Sequence, residues 1–489
     1  MILQNALVYT PRHTFERGTI VIRDGRIVPF AAPEEGEEVL DAEGLYALPG
    51  LVDIHFHGAM GKDFCDGTEE AIQTLADFEA SKGVLAICPA TMTYPEEILN
   101  KVMDAAAAHK NGKGADLVGI NMEGPFISPK KVGAQNPEYV QGADAAMFRR
   151  LQKRANGLIK LVDVAPEEPG NLDFIKECHN EVRISIAHTC TDYDTAVKAF
   201  EAGATHMTHL YNAMPGITHR APGPIIAAME HDAEVELITD NVHIHPAMVR
   251  FTFNTFGDDR ICLIADSAMS CGLPDGQYSL GGQAITVKGP RATLTEHPDT
   301  IAGSNTCLYD CMKRAVLEMN VPLESAVRAA SETPAKSIGV DNDYGSLAAG
   351  RYGNVILADK ELNLKAVIHI GPFVIFARGG GFQVVGGIAD AVQLLEPQLG
   401  MFFFVISRFQ KQCCDLLKTL LFGHGGKEGV LVACFGFARK CGHQVFLALG
   451  TSILVHNILL INSLRFIPNQ SFFASVYYAL LYSLIIAQF

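Results

Sequence analysis

The stretch Gly50–Gly58, GLVDIHFHG, places two histidines, His55 and His57, two residues apart behind the run LVDI. Side chains two apart on a strand point to the same face, so both imidazoles would converge at the end of a buried strand. Polar residues at a strand edge are also common for purely structural reasons. Taken alone, the pair leaves metal binding and plain structure both open. The remainder of the chain has to separate them.

Seven further runs of similar character follow: GVLAICPATM, LVGINMEG, LIKLVDVAPE, VRISIAHT, ATHMTHLYNAM, VELITD and ICLIADS. Segments of helical period, such as residues 68–82 and 192–202, lie between many of them. Eight strands alternating with helices predict an α/β fold, a (β/α)8 TIM-like barrel over residues 51–340. Runs this apolar fit a parallel sheet buried on both faces. A doubly wound open sheet is the alternative, but no G-x-G-x-x-G follows the first strand, which weakens a dinucleotide-binding form.

Short alternating segments with turns fill residues 1–50, and RDGR at Arg23–Arg26 reads as a tight hairpin. A similar piece follows the barrel at residues 345–370. Neither can bury its own face alone. Residues 1–50 and 341–371 are therefore expected to pack together as a small β-sandwich domain.

The 489 residues carry a formal charge of −15, which argues against nucleic acid as a partner, since a phosphate backbone calls for Lys and Arg. The 12 cysteines form no C-x-x-C pair and read as reduced thiols. The N-terminus lacks a basic segment followed by a long apolar core. A cytoplasmic protein is the expectation.

Composition shifts near residue 371. Residues 372–489 carry 8 Lys+Arg and 4 Asp+Glu, against 31 and 50 before them. The segments Cys441–Leu464 and Phe466–Phe489 carry no charge. About 20 apolar residues can span a bilayer, although Asn, His and Ser interrupt the first segment. This apolar C-terminal tail reads as a membrane hairpin, a poorly folded appendage, or sequence from a reading frame unrelated to the body. The abrupt change without a linker favours the third, and membrane contact is expected only if the tail is genuine.

Barrel chemistry gathers at the C-terminal ends of the strands. Those ends carry His55 and His57, Glu123 in INMEGPF, His188 in SIAHT, His209 in THMTHLYNAM and Asp266 in LIADSAM. Singly, each is ordinary, because a buried polar group is usually just hydrogen-bonded. Together, four imidazoles and two carboxylates suit Zn2+ or a similar divalent first-row ion. His206, three residues before His209, would face the other way on a strand and is assigned to packing or a hydrogen bond. His179, His231, His297 and His369 fall outside strand ends and are left structural.

The order HxH, NMEGPF, AHT, THLYNAM and ADSAM resembles the amidohydrolase superfamily over about residues 1–370. Within it the chain looks like the N-acetylglucosamine-6-phosphate deacetylase family. EGPFISPKKVGAQNP and HLYNAMPGITHRAPG are more specific than the HxH, which many amidohydrolases share. The resemblance implies metal-dependent hydrolysis of the N-acetyl group of a small amino-sugar phosphate. It implies that Glu123, His188 and His209 hold the principal ion and that His55 and His57 allow a second. Zn2+ is the ion most expected, with Fe, Mn or Co as alternatives.

Asp266 matches the family's catalytic aspartate, which takes the water's proton and delivers one to the departing amine. Gln135 stands where the family places an oxyanion-stabilising histidine; it donates a hydrogen bond but brings no positive charge. Arg220 matches a phosphate-binding arginine and His243 a substrate histidine, with His245 less favoured. Ala134, Gln135, Asn212, Ala213, Ile301, Ala302 and Gly303 match contacts to the sugar, the last three in the loop TIAGSN. A homodimer is implied, with the arginine reaching a neighbour's site.

Two other readings compete. An amidohydrolase acting on a cyclic amide or nucleobase would carry a strand lysine where Glu123 stands. An inactive sugar-phosphate-binding homologue would have no need of Asp266.

Overall fold

All eight apolar runs form strands: β1 (Leu51–Asp53), β2 (Val84–Ile87), β3 (Ile120–Met122), β4 (Ile159–Val164), β5 (Arg183–Ile186), β6 (His206–Met207), β7 (Glu234–Ile238) and β8 (Ile261–Ile264). They are seen in a computed structural model that describes residues 1–34 and 37–369, together with the backbone of Phe373–Ala377 and Gly381–Val385. β1 runs parallel to β2, and β3 to β8 run parallel in sequence order. A bridge from Ala90 to Asn121 links β2 to β3. The ring closes beyond β8, where Asp266 N–H donates to the His55 carbonyl at 2.8 Å and His57 N–H to the Ser267 carbonyl at 2.8 Å. The barrel expectation holds.

Both faces of these strands are buried, which is why they read as nearly unbroken apolar runs. Val52, Ile54, Ala86, Leu161 and Ile264 pack in the lumen, while Leu51, Leu85 and Ile87 meet the helices outside. The two expected helices are present as Glu69–Ser81 and Tyr193–Glu201. Thr68 caps the first by accepting from Ala71 N–H at 3.2 Å, and Asp192 caps the second through Thr195 N–H at 2.8 Å. Ile72, Leu75 and Ala76 on one helix, and Ala196, Ala199 and Phe200 on the other, press against the strands.

The terminal pieces join in one nine-stranded sheet. Tyr46–Pro49 pairs antiparallel with Val355–Ala358, and Leu3, Ile20, Val355 and Leu357 share a core. At the predicted hairpin, Asp24 and Gly25 take φ of 49° and 73°, the positive values such a turn needs. Phe373–Ala377 and Gly381–Val385 add two strands to this sheet beyond residue 371. The other expectations for the tail lie outside the described residues. Among the described residues no helix is long and apolar enough to cross a membrane.

One element departs from the eight-run reading. Gly276–Leu280, Gln283–Lys288, Arg291–Leu294 and Ile301–Ser304 form a separate four-stranded antiparallel sheet after β8. Leu280, Ile285, Val287 and Leu294 pack on Met92 and Ala268 near the barrel rim. Ile301, Ala302 and Gly303, expected in a loop, form the last strand instead. Ser304 N–H donates to the Asp266 carbonyl at 2.7 Å, which ties that strand to the end of β8.

Candidate active site

The donor residues leave the barrel at equivalent places. His55, His188, His209 and Asp266 each lie two residues past a strand, and Glu123 directly follows β3. His188, His209 and Asp266 hold positive φ, 41°, 27° and 47°. Such backbone is unusual for residues with a Cβ and gathers where a site must re-aim side chains. At Gly58, closing the opening motif, an added Cβ would sit 2.8 Å from Met269 N and 2.9 Å from its Cα. Only glycine lets the two segments meet there.

All six donors are buried and converge. His188 Nε2 and His209 Nε2 lie 3.0 and 3.1 Å from Glu123 Oε1, and 3.1 Å from each other. His57 Nε2 is 3.4 Å from Glu123 Oε2 and 3.3 Å from Asp266 Oδ1. His55 Nε2 lies 3.5 Å from Glu123 Oε1. Two sets of ligand atoms result, each within 4.8 Å: Glu123 with His188 and His209, and Asp266 with His55 and His57.

The outer nitrogens decide which form these rings take. His188 Nδ1 lies 2.9 Å from the Lys131 carbonyl, which can only accept, so Nδ1 carries a proton. His55 Nδ1 lies 2.8 Å from Glu236 Oε2, and that carboxylate oxygen also accepts from His209 N–H at 3.1 Å. In neutral rings both Nε2 atoms then present lone pairs, and they face carboxylate lone pairs. Acceptors confronting acceptors in a buried site call for a cation between them, and a hydrogen-bonded outer nitrogen is the usual arrangement of a metal-binding imidazole. The donor set therefore fits a divalent ion.

Charge supports the same reading. Burial alone would push the Glu123 carboxyl up, but the imidazoles of His55, His188 and His209 outweigh it and hold the group well below the usual range. Burial likewise works against an ionised Asp266, yet the hydrogen bond to His57 and the nearby imidazole of His55 hold it low. Two carboxylates thus face four imidazoles.

The other sequence candidates divide. Gln135 is committed on both sides of its amide: Nε2 donates to Glu123 Oε2, and Oε1 accepts from Thr93 N–H at 2.6 Å. It braces the glutamate. The carbonyls of Ala134 and Gln135 accept from Gln283 Nε2 at 2.7 and 3.1 Å, joining this loop to the four-stranded sheet. His243 Nδ1 bonds Asp240 Oδ2 at 2.8 Å; burial opposes protonation of the ring, and Asp240 outweighs it and raises its pKa. Asn212 Nδ2 donates to the carbonyls of His209 and Leu210, at 3.2 and 3.3 Å, and the Ala213 carbonyl accepts from Thr189 N–H at 3.0 Å. Arg220 is exposed and has no side-chain hydrogen bond or ion pair among the described residues, so within one chain it is not drawn into the cluster.

Three supporting residues escaped the sequence reading: Glu236, Asp240 and Gln283. Glu236 left a signal, a charged residue inside the apolar run VELITD. His206 also needs a correction in its reasoning. β6 ends at Met207 and the chain turns before His209, so strand parity does not relate the two. His206 packs in the barrel wall and hydrogen-bonds Ser185, as assigned.

Residues 46–393 match the amidohydrolase family. The chain is 33% identical to the N-acetylglucosamine-6-phosphate deacetylase of Bacillus subtilis over 372 residues, 74% of this chain and 93% of the relative. It is 30% identical to the N-acetylgalactosamine-6-phosphate deacetylase of Escherichia coli over 344 residues, 70% and 89% of the two chains. The crystal structure of N-acetyl-D-glucosamine-6-phosphate deacetylase from Mycobacterium smegmatis superposes with a TM-score of 0.71 at 31% identity, covering 77% of this chain and all of that one.

Proposed function

Because the chain belongs to the amidohydrolase family, we propose that it hydrolyses the N-acetyl group of N-acetylglucosamine 6-phosphate, giving glucosamine 6-phosphate and acetate. The observation that carries this reading is the convergence of Glu123, His188 and His209 beside His55, His57 and Asp266 at one barrel mouth. Glu123, His188 and His209 would hold the principal divalent ion, and His55, His57 and Asp266 offer room for a second. Histidine with carboxylate favours zinc, with iron, manganese or cobalt as alternatives. The chemistry such an ion supplies is a more acidic water and a polarised acetyl carbonyl.

Asp266 carries the proton traffic. Its low pKa leaves it a base at neutral pH, able to take a proton from the attacking water. Returning a proton to the sugar nitrogen lets the product leave as an amine, since an amide anion is too basic to depart. Gln135 keeps Glu123 aimed, and the oxyanion role of the family's histidine is not carried over to it. His243, held by Asp240, together with Ala134, Asn212, Ala213, Ile301, Ala302 and Gly303, would line the sugar. The fork of Arg220 suits a phosphate, and its exposure fits a homodimer in which it reaches the partner's site. The eight described cysteines are all free, which supports a reducing, cytoplasmic setting. The domain division follows the same reading: residues 51–340 as the catalytic barrel, residues 1–50 with 341–371 as the small β domain.

Acetate release from N-acetylglucosamine 6-phosphate, with and without chelator, is the test. Turnover that a chelator abolishes and a divalent metal restores supports the reading. No acetate from the metal-loaded protein would remove it. The Escherichia coli relative motivates a second substrate, N-acetylgalactosamine 6-phosphate, and faster turnover of that epimer would move the assignment to it.

A further inference from the structure

A third group of ligating side chains lies away from the mouth. His206 on β6, Glu234 at the start of β7 and Cys262 on β8 bring one ligand atom each within 4.8 Å of the others. Register explains the meeting. Ser185, His206 and Glu234 stand side by side in one row across β5, β6 and β7, and Cys262 lies diagonally beyond, opposite Glu236. Residues near one row of a parallel sheet share a face.

A hydrogen-bond chain engages the outer nitrogen of His206. Thr208 Oγ1 donates to Asp163 Oδ1 at 2.9 Å, which uses its only proton. Ser185 Oγ lies 2.6 Å from Thr208 Oγ1 and 3.0 Å from His206 Nδ1, so the chain ends on the outer nitrogen of the ring. Among the described residues His206 Nε2 has no hydrogen-bond partner, in a side chain with 0% exposure. Burial and the charge of Arg183 keep the ring neutral. A neutral imidazole held at its outer nitrogen is the form that binds a metal.

The other two donors are suited to the same ion. Cys262 is fully buried and in no disulfide. Glu234 is anchored on one oxygen by Arg183 Nη1 at 2.7 Å, and among the described residues its second oxygen accepts no hydrogen bond. A cavity of about 370 Å³ lined by Arg183, Lys160 and Ser337 lies at the same end of the barrel.

We propose that His206, Glu234 and Cys262 form a further divalent-cation site of the zinc class, independent of the deacetylase reading. Thiolate, imidazole and carboxylate make three of the four ligands such an ion takes, with water as the fourth. On binding, the sulfur–hydrogen bond of Cys262 breaks, a sulfur–metal bond forms, and the proton leaves to solvent.

Cobalt distinguishes this site from the mouth, which has no sulfur ligand. The full-length protein, stripped and reloaded with Co2+, is read for thiolate-to-cobalt charge-transfer absorption and for bound metal per chain. The wild type shows the band; Cys262→Ser loses it together with one bound ion, while acetate release is unchanged. A wild type that fills the mouth sites with cobalt yet shows no band overturns the proposal, and so does a band that survives in Cys262→Ser. Should that variant fail to fold, His206→Gln is read the same way: loss of the band and one ion supports the site, and retention of both overturns it.

Discussion

Glu123 at the barrel mouth and Glu79 behind β1 are both sealed from solvent, at 2% and 0% exposure. Glu123 is held far below the usual carboxylate range, whereas Glu79 is pushed well above it. Burial acts upward on both. What differs is company: Glu123 faces His55, His57, His188 and His209, while neither oxygen of Glu79 has a hydrogen-bond partner among the described residues. The pair separates two uses of a buried carboxyl. One is kept charged by neighbours and can hold a cation, and the other is pushed toward its neutral form.

The largest effect tests the charged end. Asp266→Asn keeps the shape but removes the base, and acetate release should fall by about 10²–10⁴-fold. Metal analysis of the same variant should still find the ion of Glu123, His188 and His209. Wild-type turnover in Asp266→Asn would show that the mouth's second carboxylate is not the proton carrier.

A smaller loss is expected one layer down. Glu236 holds two donors at once, the ring of His55 through its Nδ1 and the backbone of His209 through its amide N–H. Glu236→Gln should weaken metal affinity by about 10–100-fold, the usual cost of removing an outer partner of a metal ligand. Competition with a chelator of known affinity measures it. Unchanged affinity would mean that the mouth is organised by its own four imidazoles alone.

How much of this could be read from the chain follows from where each residue sits. The eight barrel strands were legible because both faces are buried, so each left an apolar run such as VRISI or ICLI. The site donors were legible because they interrupt those runs at their ends. Glu236 was not, because it stands inside a run, where sequence does not reveal whether a side chain points into the lumen toward His55 or outward to a helix. The sheet formed by residues 276–304 went unread although YSLGGQAITVKGPRATL alternates and carries turn glycines, since a complete set of eight strands already accounted for the fold. Arg220 shows another limit of local pattern: its motif implies phosphate, while its side chain stands exposed and away from the cluster.

The smallest effect tests the neutral end. Burial is the main cause of the raised Glu79 pKa, Asp53 adds to it, and the charge of Lys82 works against both. A carboxyl whose folded pKa lies above its unfolded value, about 4.3, contributes fully to stability only below that value. The contribution is lost as pH rises from there through the folded pKa. Glu79→Gln has no charge to suppress, so it should melt higher than wild type at pH 8 by about 1 kcal/mol of stability, with the gap closing toward pH 4. Thermal unfolding of both proteins across that range gives the answer. A gap that stays constant with pH would mean that Glu79 remains charged despite its burial, and the contrast with Glu123 would then lie in geometry alone.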